Sequence, residues 1–206
     1  MEMSLGVAFA TGVLLHASLF RVGEWDLLAT WLLRAPFVLL AFLSVALAWL
    51  RPAESILQSL KDAGKLDTSL LGGIFGSMLV YRAFFHRVGV FPGPFAARLS
   101  NLYMTRHAVK TMQSYRHYKK LHEQYGDFVR VGPMEISIIE PAAFRDIYAN
   151  SSPCEKGPLY SHGSPSTTVL EIRSRKLHTA KRKPWDHAFA TQGRLGLKTS
   201  HDRRTC

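Results

Sequence analysis

Cysteine is nearly absent: Cys154 and Cys206 are the only two in 206 residues. That excludes a disulfide-stapled domain and the paired cysteines of a zinc site, and it is compatible with a reducing compartment. Acidic residues are few, with 15 Asp and Glu against 26 Lys and Arg, so the formal charge is +11. Such a balance suits an anionic membrane surface, nucleic acid or an acidic protein partner. There is no glycine-rich phosphate loop, no Ser-His-Asp arrangement and no paired-carboxylate signature. The nine histidines show no metal spacing; His117 and His122, five apart on a helix, do not share a face. There are no internal repeats.

Long apolar runs are present, and they crowd into roughly the first 85 positions, while the charges crowd into the rest. The first run, about Leu5 to Phe20, is somewhat short for a bilayer span, which takes about 20 residues. The second, Leu27 to Leu50, is interrupted only by Arg34 and Pro36 and is the strongest candidate. The third, Leu70 to Phe85, is glycine-rich at its start and carries Arg82 near its end, where a long side chain can snorkel. A cleaved leader is disfavoured, because the first run lacks a basic start and a small-residue cleavage site. The stretch from Arg51 to Thr68 reads as a loop; its Arg51, Lys61 and Lys65 weaken a simple positive-inside orientation. The basic C-terminal half resists translocation and is placed in the cytosol.

Phe91-Pro92-Gly93-Pro94 cannot continue a helix and stiffens the chain as it leaves the bilayer. A helix is expected over Arg98 to Tyr125, with Val109, Met112, Tyr115, Tyr118, Leu121 and Tyr125 on one face. Tyr115, Tyr118 and Tyr125 read as core rather than as a platform for bases, and no nucleic-acid partner is expected. Gly126 stops the helix. Strands follow at Phe128 to Val131 and Glu135 to Ile139, turning at Gly132-Pro133. Pro141 opens a short helix through Tyr148. Residues Asn150 to Thr168 read as a loop, and Ile172 to Ala190 as a basic helix.

Four strings carry a resemblance: Phe91-Pro-Gly-Pro-Phe95, Leu121-His-Glu-Gln-Tyr-Gly-Asp-Phe-Val-Arg-Val-Gly-Pro133, Cys154-Glu-Lys-Gly-Pro158 and His178-Thr-Ala-Lys-Arg-Lys-Pro-Trp-Asp-His-Ala-Phe189. In this order, after an apolar anchor, they resemble the N-terminal third of a fungal cytochrome P-450, a haem-thiolate monooxygenase, over about Phe91 to Ala190. The expected fold class is an α-helical membrane anchor followed by an incomplete α+β module of the cytochrome P-450 fold. The expected divisions are an anchor of two to three transmembrane helices over 1–90, the partial module over 91–190, and a divergent, disordered tail over 191–206.

The resemblance implies that His178 and Arg182, one helical turn apart, derive from donors to a haem propionate. Trp185 is expected to pack rather than touch the cofactor. Intact relatives bind haem through a cysteine in a late, glycine-rich loop, take electrons from a membrane-bound reductase and reside in the endoplasmic reticulum membrane. Neither Cys154, in an early loop, nor Cys206, in a basic tail, matches that cysteine. The expectation is therefore a truncated chain, catalytically inactive, with no catalytic or metal-ligating residue and no stably bound haem. The tail would stem from a shifted frame, a retained intron or a misplaced gene boundary. The rival expectation is a non-enzymatic membrane protein whose basic helix binds a partner or acidic lipid.

Overall fold

The computed structural model describes residues 2–149, 152–161 and 168–190. The chain is mostly helical with one two-stranded sheet. It divides into two compact units. The first holds residues up to Trp25 and Ala29–Ser152; the second holds Asp26–Leu28 and the described residues from Pro153 onward.

Three helices are long and apolar enough to cross a membrane. Helix α1, Glu2–Leu15, continues through a π-helical turn at His16–Phe20, so the first run reaches 19 residues. Helix α2, Ala29–Leu50, runs through Arg34 and Pro36 and buries no residue. At 22 residues, it rises about 33 Å, enough for a hydrocarbon core. Its open aliphatic and aromatic surface suits lipid, where a helix satisfies its own backbone.

Helix α3 corrects the sequence reading. It begins at Ile56, not near Leu70, and runs to Val80, continuing as a π-helical turn at Tyr81–Phe85. Most of the expected loop from Arg51 to Thr68 is therefore helix. The reason is local: Ser55 is an N-cap whose hydroxyl accepts from the Gln58 amide, and Asp62 pairs with Lys65 at 3.0 Å and Arg51 at 3.6 Å. Arg51 and Lys65, two of the charges that make this stretch look like a loop, both pair with Asp62 on the helix.

Helix α3 packs against both α1 and α2. The α1–α3 contact is close because both helices present glycine. A Cβ on Gly12 would collide with the Leu70 carbonyl, and one on Gly73 with the Phe9 carbonyl. Ser69 Oγ donates to Leu5 O at 2.8 Å, and His16 Nδ1 meets Ser77 Oγ at 2.8 Å. Small residues that let backbones approach, joined by side-chain hydrogen bonds, are the usual contact between helices in lipid.

The expected helix from Arg98 to Tyr125 is three helices: α4, Phe95–Leu99; α5, Leu102–Thr111; and α6, Ser114–Tyr125. Extended Ser100 ends α4, and Met112, at φ 51°, ends α5 in the left-handed region. The expected apolar face is broken accordingly. Val109, Met112 and Tyr115 are exposed, whereas Leu121 is buried with Tyr118 and Tyr125 packed beside it.

Gly126, at φ 92°, caps α6 as expected. Strands β1, Phe128–Arg130, and β2, Ile136–Ile138, pair antiparallel with Val129 opposite Ser137. Leu121, Val129 and Val131 form the small core of this region, with Met104 packed against it. Helix α7, Pro141–Tyr148, starts at its proline, and Glu140 Oε1 accepts from the Ala142 amide.

In the second unit the expected loop contains a 3-10 turn at Pro158–Ser161, and the basic helix α8 spans Arg175–Phe189. Asn150, Ser151, residues 162–167 and the tail 191–206 lie outside the described residues.

Candidate functional site

The second unit is organised by arginines that donate to backbone carbonyls. Arg173 Nε donates to Lys156 O at 2.8 Å, its Nη1 donates to Ser161 Oγ at 3.3 Å, and Arg175 Nη2 donates to Cys154 O at 3.1 Å. Ahead of α8, the Thr168 amide and hydroxyl both donate to Glu171 Oε2, at 2.9 and 3.0 Å, and these bonds hold the Glu171 carboxyl below its usual range. These bonds tie the Cys154–Pro158 string to the start of α8. Two strings that sequence reasoning treated separately thus meet in space.

Their meeting leaves a cleft of about 500 Å³ lined by Lys156, Val169, Leu170, His178, Arg182, Trp185, Asp186 and Phe189. His178, half-buried, and Arg182, exposed, share this cleft as their four-residue spacing demands. Arg182 Nε is engaged by Asp186 Oδ1 at 3.0 Å, and Lys156 Nζ donates to Leu170 O. Trp185 is not packed in a core. It is 57% exposed and lies parallel to Phe189, with ring centroids 6.2 Å apart. His178, Arg182, Trp185 and Phe189 recur at four- and three-residue steps along one stripe of α8, so the cleft offers imidazole and cationic donors beside flat aromatic surface.

That donor set fits a flat ligand with a carboxylate edge, such as the propionate side of a haem. Among the described residues, its lining contains no cysteine to supply a thiolate for the iron. Cys154, exposed, lies outside the lining, and Cys206 falls outside the described residues. No group of three His, Cys, Asp or Glu among the described residues could hold a metal.

Sequence reasoning missed Arg130. It is fully buried at the end of β1 and donates to Gly132 O at 3.2 Å, Pro133 O at 2.7 Å and Arg82 O at 3.1 Å. Its own amide donates to Pro92 O at 2.7 Å, and a Cβ on Gly93 would collide with its carbonyl. One residue thus joins the end of the third candidate span, the Pro-Gly-Pro hinge and the hairpin turn. Burial and the neighbouring Arg98 and Arg82 lower its pKa.

The fold is thus three helices long and apolar enough to cross a membrane, a Pro-Gly-Pro turn, a two-stranded hairpin and a basic helix that lines an aromatic cleft. The comparisons narrow this to a family. The chain is 43% identical over 186 residues to a cytochrome P-450 monooxygenase of Fusarium pseudograminearum, covering 89% of this chain and 34% of that protein. It is 40% identical over 186 residues to a cytochrome P-450 monooxygenase of Penicillium fellutanum, covering 90% and 33%. It is 34% identical over 197 residues to tryprostatin B 6-hydroxylase of Aspergillus fumigatus, covering 94% and 35%. The chain belongs to the fungal cytochrome P-450 monooxygenases, as an N-terminal part of that family, and spans about a third of the length of the relatives it matches. No family model matches the chain. No solved structure matches it significantly.

Proposed function

We propose that the chain is the membrane-anchoring and haem-edge part of a fungal cytochrome P-450 monooxygenase, set in the endoplasmic reticulum membrane with residues from Phe91 onward in the cytosol. The observation that carries this reading is the shared cleft of His178, Arg182 and Lys156 against Trp185 and Phe189. When bound through a thiolate, haem activates dioxygen for insertion of one oxygen atom into an organic substrate. This chain's part is positional. His178 and Arg182 would donate to a haem propionate, Arg182 through a guanidinium fork that now engages Asp186. Trp185 and Phe189 cover the ring edge against water. Electrons come from a membrane-bound reductase that the anchor brings to the same surface.

These 206 residues by themselves form no haem-thiolate centre, because a thiolate ligand needs a cysteine kept deprotonated and oriented by hydrogen bonds to its sulfur. The test is to sequence the transcript beyond the codon for Ala190 and read all three frames. A glycine-framed cysteine loop preceded by phenylalanine supports the reading. Its absence from every frame contradicts it, and leaves a membrane protein whose helix α8 binds acidic lipid or a partner.

A further inference from the structure

A second cleft, unrelated to the haem edge, lies between α5 and α6. It encloses about 310 Å³ and is lined by His107, Thr111, Gln113, Arg116, His117 and Lys120. The left-handed turn at Met112 folds α6 back on α5 and brings two imidazoles face to face. The His107 and His117 rings stack with centroids 3.9 Å apart and an interplanar angle of 9°. Tyr103 packs against both rings, at 4.9 and 5.6 Å. His117 Nε2 is buried and has no hydrogen-bond partner. Arg116 Nε donates to the Tyr115 hydroxyl at 3.1 Å, and among the described residues neither Arg116 nor Lys120 has a carboxylate partner. Among the described residues no acid lines the cleft.

We propose that this cleft binds a phosphate group, gripped by Arg116, Lys120 and the imidazole pair. A phosphate suits it better than a carboxylate because a phosphate monoester carries up to two negative charges and several acceptor oxygens, matching several converging donors. The group could be carried by a membrane lipid or by a soluble phosphate compound; the chemistry is the same. The groups facing His117 are Tyr103 and His107 from α5, and Arg116 and Lys120 from its own helix. Burial, then His107, then Lys120 lower the His117 pKa. A bound anion attracts the imidazolium and offsets the repulsion from His107 and Lys120, so it raises the pH at which His117 titrates. By linkage, protonation of His117 in turn favours the anion.

The test uses the full chain, histidine-labelled, in phosphatidylcholine nanodiscs, with imidazole resonances followed against pH. One arm adds inorganic phosphate; the other replaces part of the phosphatidylcholine with phosphatidic acid. The expected result is a rise of about one unit in the His117 titration point, a tenfold linkage, in at least one arm. The rise should vanish in the Arg116→Gln, Lys120→Gln double variant. In that variant the His122 resonance should not move, because His122 bridges Gly126 O and Ser137 Oγ, both at 2.8 Å, and so reports intact α6–β2 packing. A response only to phosphatidic acid assigns the cleft to lipid; a response to inorganic phosphate assigns it to soluble phosphate compounds. A His117 titration unmoved in both arms, or a rise that survives the double substitution, overturns the proposal.

Discussion

Arg130 shows how one residue can join features that lie far apart in sequence. Its partners are carbonyl oxygens of Arg82, Gly132 and Pro133, and no motif announces a backbone carbonyl. That is why the sequence yields β1 but not its role. His178 and Arg182 are the opposite case, since a four-residue step on a helix is a geometric instruction written in the chain. The account predicts that Arg130→Lys, which keeps the charge but loses the planar fork, weakens the hinge by about 2 kcal/mol. The measurement is hydrogen exchange at Val131 and Gly132, whose amides both donate to Glu135 O; unchanged protection would contradict it. His86 gives a pH prediction. Burial first, then Arg130, Arg87 and Arg82, lower its pKa. Its Nδ1 accepts from the Val88 amide at 3.3 Å, which requires that nitrogen unprotonated. The unfolded state therefore binds the extra proton, so this stabilisation is fully present above about pH 6.5 and is lost as pH falls through the lowered folded value. His86→Asn should flatten the acid limb of a stability profile below about pH 6.5.

At the scale of elements, the hairpin, the Gly126 stop and the Pro141 start are legible because each depends on a residue with one dominant backbone preference. The break at Met112 is illegible because methionine carries no such preference, and α5 and α6 share a compatible apolar spacing across it. The start of α3 at Ile56 is hidden for another reason: Ser55, Asp62 and Lys65 are loop-like in composition and helix-stabilising in place. Two outcomes test the anchor. Gly73→Leu should push α1 from α3 toward the about 8–10 Å separation of helices packed through larger side chains, read as a pulsed-EPR distance between labels on the two helices. An unchanged distance would mean the glycine contact is incidental. Alkaline carbonate washing should leave the chain in the membrane pellet, because α2 is an apolar helix of 22 residues with no residue buried; release into the supernatant would rule out a span.

For the whole molecule, the anchor is written in long apolar runs and the family in the order of short strings. The meeting of the Cys154–Pro158 string with α8 needed coordinates. The described residues from Phe91 onward offer a core cluster of Leu121, Val129 and Val131 and strands of three residues each, and a lone hairpin of that size is marginal in water. Expressed without the anchor, this segment should show little amide protection and no sharp thermal transition. In the proposed function, His178 and Arg182 hold the edge of a haem while these residues supply no thiolate for its iron. The direct measurement is the reduced, carbon-monoxide-bound spectrum of membranes containing this 206-residue chain, with haem supplied during expression. The account predicts that the red-shifted Soret band of a thiolate-ligated haem is absent. A band that grows in proportion to the protein, and is lost in Cys154→Ser or Cys206→Ser, would contradict it.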